Sequence, residues 1–275
     1  MAPQWDNFLR NLGEWHGSFA SLNAEAEIVD CSPSILILEQ GAEDRLVHFR
    51  LRRYGEGGGS AAPTREVQQE YRSLGRQVVF FDSGSFCKGS LQVAPGTSFG
   101  AEFGFLMGDR RHRLVQLFSP EGHFSSQVLI REFRAGSDAS ERPSLSVDAL
   151  VGEWQGDAAT ITADWPEPEQ RSCTITIDAG AGNTLRISSI SSDERTLINA
   201  RGSGRVLELE GDSAGCLQLL PDGGYSLVPR QVSHRRSFTV EAAWLPAPDR
   251  LERLIRRYDA SGAWQSATHI SARRN

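Results

Sequence analysis

Lysine is almost missing from this chain: Lys88 stands alone among 29 basic residues, and the rest are arginine. We read that as a mark of genomic base composition, not of function. A basic surplus is also missing, with 35 acidic residues against 29 basic ones and a net charge of −6. This balance argues against a nucleic-acid partner, for which a basic face is expected. No stretch approaches the ~18 apolar residues of a membrane span. The first residues have no basic segment leading into an apolar run, so no export signal is read and a cytoplasmic setting is expected. Four cysteines (Cys31, Cys87, Cys173, Cys216) are far apart and form no paired motif, which excludes a zinc site of the usual spacing. They are expected to be reduced, buried thiols. Six histidines show no metal-ligand spacing. His16 is expected at the surface. Asp82, Asp164 and Asp212 sit near strand ends with no acid–base spacing. Gly57-Gly58-Gly59 leads into no Lys-Ser or Lys-Thr pair, so a phosphate loop is excluded. No nucleophile elbow appears among the serines.

What is present is a duplication. Gly13-Glu14-Trp15-His16-Gly17 returns as Gly152-Glu153-Trp154-Gln155-Gly156, an offset of 152 − 13 = 139. Arg113-Leu114-Val115 returns as Arg253-Leu254-Ile255, an offset of 253 − 113 = 140. Each is followed by a Gly-containing turn and a further strand. A near-constant offset over the whole unit means a doubled domain. The expected division is residues 1–134, a polar linker at 135–146 and residues 147–275.

Within each unit the apolar residues alternate. Residues 4–12 carry helical spacing (Trp5, Phe8, Leu9, Leu12) and Gly13 ends it. Val147 to Val151 forms a helical stub before the second Gly-x-Trp. Period-two runs follow at 27–29, 35–38, 46–51, 78–81, 98–106, 111–118 and 124–133, and again through the second unit. Short strands punctuated by Gly, Pro, Asp and Ser predict an antiparallel sandwich or barrel. Eight or nine strands per unit match a small closed barrel. Residues 55–63 read as a flexible loop.

A short helix, a Gly-x-Trp opening the first strand and a last strand ending in arginine together resemble the calycin group, the lipocalins and their relatives. The resemblance implies an all-β chain of two tandem antiparallel calycin β-barrels, each with a short N-terminal helix. It also implies that Gly13, Trp15 and Arg134 close one barrel, and Gly152, Trp154 and Arg274 the other. The hairpin Arg111-His112-Arg113-Leu114-Val115 to Gly122-His123-Phe124-Ser125-Ser126, with Arg131-Glu132-Phe133-Arg134, is similar to the end of the S-type phycobilin lyases of cyanobacteria. Those are single barrels that hold an open-chain tetrapyrrole and attach it to phycobiliproteins. Their central region finds no counterpart here. The two-barrel layout more closely resembles a cyanobacterial and plastid family with no assigned activity.

Ser98-Phe99-Gly100-Ala101-Glu102 returns as Ser237-Phe238-Thr239-Val240-Glu241. In a strand, Glu102 falls on the face opposite Phe99, Ala101, Phe103 and Phe105, and Glu241 falls opposite Phe238, Val240 and Trp244. Arg111 and Arg113 share one face of the next strand, as do Arg253 and Ile255 in the second unit. One reading turns Glu102, Arg111, Arg113, Glu241 and Arg253 inward, with Phe105 and Trp244 completing a ligand site. A buried arginine would clamp a carboxylate, as on a bilin, another tetrapyrrole or a fatty acid. The other reading is a cross-strand Glu–Arg pair on the barrel exterior. Three functions stay open: a carrier of a small apolar or amphipathic molecule, a bilin lyase or isomerase with a phycobiliprotein partner, and a scaffold with filled barrels.

Overall fold

Alternating apolar residues broken by turn formers resolve into antiparallel strands throughout. The structure is a computed structural model that describes residues 4–275 except 56–61, 166, 182–183, 192–193 and 212–213. Gly57-Gly58-Gly59 and Asp212 lie outside the described residues. The first unit opens with helix α1 (Gln4–Leu9). Its strands are β1 (Gly13–Leu22), β2 (Ile28–Gln40), β3 (Val47–Arg53), β4 (Arg65–Tyr71), β5 (Val78–Phe80), β6 (Phe86–Gly89), β7 (Phe99–Met107), β8 (Arg110–Phe118) and β9 (Phe124–Arg134). The second opens with α2 (Val147–Leu150), then β10 (Gly152–Thr162), β11 (Glu169–Gly180), β12 (Thr184–Ser191), β13 (Glu194–Arg201) and β14 (Val206–Leu209). It ends with β15 (Gly215–Leu219), β16 (Gly224–Pro229), β17 (Phe238–Ala247), β18 (Arg250–Tyr258) and β19 (Trp264–Arg274). No described helix is long and apolar enough to cross a membrane.

The chain is all-β with two barrel-like units, and the two differ. In the second, ten strands close into a barrel. In the first, nine strands run β4-β3-β2-β1-β9-β8-β7-β6-β5 and the sheet stays open between β4 and β5. The expectation of closure is therefore corrected for the first unit. Helix α1 spans the gap. Phe8 packs edge-on to Tyr71 of β4 at 5.6 Å and at a tilt to Phe80 of β5 at 5.2 Å. The Gln4 amide imitates a neighbouring strand: its Nε2 donates to the Phe80 carbonyl at 2.8 Å, and the Phe80 N–H donates to its Oε1 at 2.7 Å. An edge that would expose backbone groups is thereby covered.

The base of each unit is built alike. Trp15 and Trp154 are fully buried. Each indole N–H donates to the carbonyl four residues earlier, Asn11 and Leu150, at 3.0 Å in both. Arg134 lies over Trp15 at 4.3 Å and Arg274 over Trp154 at 4.2 Å, a cation–π contact worth roughly 1–2 kcal/mol when desolvated. The same guanidiniums donate to carbonyls at the ends of the short helices, Arg134 to Leu12 and Arg274 to Ala149 and Val151. Both glycines of the repeated Gly-Glu-Trp-x-Gly are demanded. Gly13 and Gly152 have φ of +128° and +142°, where a side chain is strained. At Gly17 and Gly156 the first strand presses on the last: a Cβ on Gly17 would stand 2.9 Å from the Glu132 Cα, and one on Gly156 would stand 2.6 Å from the Ala272 Cα.

The two units meet through the outer faces of their closing strands. The contact is nearly two-fold symmetric. Gln92 bridges to Ala263, and Gln231 bridges to His123. Val93 N–H donates to the Gly262 carbonyl at 2.8 Å, and Val232 N–H to the Gly122 carbonyl at 2.9 Å. In each couple the partners are exchanged counterparts, so the surface is self-complementary. Phe99 meets Phe238 at 5.5 Å and Phe105 meets Trp244 at 6.2 Å across the same axis. One buried apolar cluster runs through both units here. At one end Asp222, in the middle of the short turn Pro221–Gly223, accepts from Arg110 at 2.5 Å and from the Arg142 N–H at 2.7 Å, and pairs with His112 Nδ1 at 3.0 Å. His112 stacks on Trp244 at 5.4 Å.

Gly156→Ala is expected to cost about 1–3 kcal/mol, the range for overpacking, measured by urea unfolding. An unchanged midpoint would contradict the close approach of β10 and β19. Burial alone would raise the Asp222 carboxyl, but His112 and Arg110 hold it below its usual range. A carboxyl lowered by folding stabilises above its unfolded value, near ~4, and loses that contribution as pH falls through the folded value. Asp222→Asn should thus lower Tm at neutral pH, with the deficit shrinking below about pH 4. A deficit that stays constant from neutral to acid pH would reject the ion-pair account.

Candidate functional site

The alternation of β7 and β17 decides which side chains reach the lumens. Glu102, Arg111 and Arg113 turn into the first unit, and Glu241 and Arg253 into the second. Phe105 and Trp244 were expected beside them but lie on the opposite faces of their strands. They are buried between the two units, where their rings meet, because that seam needs large apolar groups.

In the first unit the closed end is packed. Trp5, Phe8, Trp15, Leu36, Leu38, Val47, Phe80 and Phe86 form one buried cluster. Above it stands a layer of charge. Arg113 Nε donates to Glu102 Oε1 at 3.0 Å, and its Nη1 donates to Glu132 Oε1 at 3.2 Å. Arg111 pairs with Glu132 at 3.2 Å and lies over Trp15 at 5.3 Å. Burial pushes the Arg111 guanidinium down to about 10, against the pull of Glu132. Burial would raise the Glu102 carboxyl, but Arg113 outweighs it and keeps the carboxyl below its usual range. Glu102 is therefore ionised near neutral pH and unsuited to donate a proton.

The second barrel holds a cavity that is open at its mouth. It measures about 530 Å³ and opens beside Leu227, Thr239, Glu241, Arg253 and Ile255. A further space of about 200 Å³, bounded by Thr160, Cys173, Ser189 and Thr268, shares Thr196, Arg253, Ile255 and Arg257 with it. The first volume lies within the range of small-molecule sites, roughly 300–1,000 Å³. Arg253 forms its charged wall. Nε donates to Glu241 Oε1 at 2.8 Å, Nη2 to Glu241 Oε2 at 3.0 Å and Nη1 to Ser189 Oγ at 2.8 Å. The Tyr225 hydroxyl donates to Glu241 Oε1 at 2.5 Å. Burial pushes the Tyr225 phenol well up, and Glu241 adds to the shift against Arg253. Burial would lower the Arg253 guanidinium, but Glu241 holds it above its usual range. The pair is fork to fork and nearly dry, with each side chain 2% exposed.

Tyr225, Ser189 and Glu132 were missed by sequence reasoning. Glu132 offers a signal in hindsight, because its counterpart is Ala272 and duplicated positions that differ in charge invite inspection. Ser189 and Tyr225 carry none, since their strands approach Arg253 only in the closed barrel. His16 is exposed and pairs with Glu14 at 2.6 Å. The thiols divide: Cys87 and Cys173 are buried, Cys216 is half-buried and Cys31 is exposed, so the expectation of four buried thiols is corrected. Among the described residues no three metal-binding side chains cluster.

A buried pair that loses one partner leaves a bare charge. Arg253→Met should cost about 3–5 kcal/mol, and adding Glu241→Met should recover more than half of that loss, with the Tyr225 hydroxyl still lacking its acceptor. Chemical unfolding of the three proteins checks this; a double variant no more stable than Arg253→Met would refute it.

No curated protein matches this chain. Residues 1–137 match the family model described as the N-terminal part of the domain of unknown function DUF3598. Residues 141–275 match the one described as the C-terminal domain of Biogenesis factor required for ATP synthase 1. Among solved structures, the S-type phycobiliprotein lyase CpeS from Guillardia theta is 15% identical over 47% of this chain and 90% of that one, with a TM-score of 0.38. A protein with unknown function from the DUF3598 family of Nostoc punctiforme PCC 73102 is 35% identical, covers 100% of both chains and superposes with a TM-score of 0.92. With that identity sustained from end to end through both units, the chain belongs to the DUF3598 family.

Proposed function

We propose that this protein binds an apolar or amphipathic small molecule in the lumen of its second barrel. The observation that carries the reading is the cavity of about 530 Å³ in the closed barrel, against the packed base of the first unit. About half of the residues that line the cavity are polar or charged, among them Thr196, Thr239, Glu241, Arg253 and Arg257, beside apolar Ile198, Leu209, Leu227 and Ile255, a mixture that suits an amphipathic ligand. The closing hairpin resembles that of the S-type lyases, so an open-chain tetrapyrrole is the first ligand to try and a fatty acid the second. The lyase reading, with a phycobiliprotein as acceptor, is supported less, because Glu102 is held ionised and Glu241 is locked to Arg253. Four unpaired cysteines are consistent with a reducing, cytoplasmic setting. A scaffold role in assembly is a second reading, favoured by the match of residues 141–275 to a biogenesis factor's domain.

The test is titration of the purified chain with biliverdin, followed by absorbance. Binding should be saturable, with one pigment per chain. Thr239→Trp, at a half-buried position on the cavity wall, should weaken it at least tenfold while Tm stays within a few degrees. Pigment that binds both proteins equally, or neither biliverdin nor a fatty acid binding at all, would overturn the cavity reading. Covalent transfer of pigment to an apo-phycobiliprotein would move the assignment to a lyase.

A further inference from the structure

We infer that the second barrel takes an amphipathic carboxylate with its apolar end inward and its carboxylate at the rim, on Arg236. This rests on the cavity reading above and adds the ligand's class and direction.

The inner wall cannot serve as the anion site. Arg253 is the buried cation of the lining, and its fork is taken up by Glu241, with Nη1 on Ser189. A ligand carboxylate there would stand beside the Glu241 carboxylate. Two like charges at such range in a poorly solvated wall repel, and one of them would have to take up a proton. Displacing Glu241 instead would leave its charge in the wall with no cation, held only by the Tyr225 hydroxyl. The buried pair thus works as a neutral surface that rejects a second anion.

The rim is different. Arg236 lines the same cavity and is exposed. Among the described residues it makes no hydrogen bond or ion pair, whereas Arg257, also on the lining, is paired with Glu194 at 2.5 Å. Glu210, also on the lining, is paired with Arg201 at 3.3 Å. Arg236 is therefore the lining cation with all its donors open. Ile198, Leu209, Leu227 and Ile255 line the space it overlooks. A long apolar body can lie on them while its carboxylate stays hydrated and paired at the mouth. An exposed ion pair of this kind contributes up to about 1 kcal/mol, or roughly fivefold in affinity, and is screened by salt.

The experiment uses the full chain, cis-parinaric acid, its methyl ester and the Arg236→Gln variant, with binding read by lipid fluorescence. The acid should bind the parent protein about fivefold more tightly than the ester at low salt. Arg236→Gln should remove that preference with ester affinity and Tm unchanged, and added salt should shrink it in the parent. An ester that binds as tightly as the acid, or an Arg236→Gln variant that keeps the preference, overturns the inference but leaves the cavity reading intact, provided Thr239→Trp still blocks the ester. If neither lipid binds, the inference fails and the cavity reading stands or falls on the biliverdin titration.

Discussion

Each unit of this protein buries the outer face of its closing strands against the other, and the remaining features follow from that seam. A strand has two faces, and in β7, β8, β17 and β18 both are enclosed, one by the lumen and one by the neighbouring unit. The aromatic side chains go to the seam: Phe99, Phe103, Phe105, Phe118, Trp244 and Tyr258 all lie in the joint cluster. The lumen side carries Glu102 and Arg113 in one unit and Glu241 and Arg253 in the other, the latter pair beside Leu227 and Ile255. Charged groups enclosed in this way must be paired.

The seam is also where the duplication is most visible in three dimensions. Its backbone contacts come in exchanged couples, Val93 with Gly262 and Val232 with Gly122, as in an isologous dimer fused into one chain. Away from the seam the copies have separated. The first keeps an open sheet, bridged by α1 and the Gln4 amide. Its inner wall carries Arg111 and Glu132 where the second has Leu251 and Ala272. The second has a fully paired wall and a lumen with space in it. The copies thus differ both in the additional charged pair and in the closure of the sheet.

Much of the framework was legible. The doubled Gly-Glu-Trp-x-Gly marked both the repeat and the two bases, because each residue in it answers a local demand: positive φ at Gly13, an indole at Trp15 and a close strand crossing at Gly17. Strands with apolar alternation, such as β7, β8, β17 and β18, were readable for the same reason. Strand β4 was not, since Arg65-Glu66-Val67-Gln68-Gln69-Glu70-Tyr71 lies at a sheet edge and presents mostly polar groups. Strand β6 was not, since four residues are too few to show a period.

By itself the sequence determined the all-β class, the duplication and the division of β7 and β17 into an aromatic and a carboxylate face. These are local or periodic properties, carried by residues a few positions apart or by a constant offset. Only the tertiary structure decided which face looks inward, that one sheet closes and the other does not, and that Arg253 meets Glu241, Ser189 and Tyr225 around a cavity. Period two distinguishes the sides of a strand but cannot name them. That choice is made by what packs on each side, and here it is made by the other half of the chain.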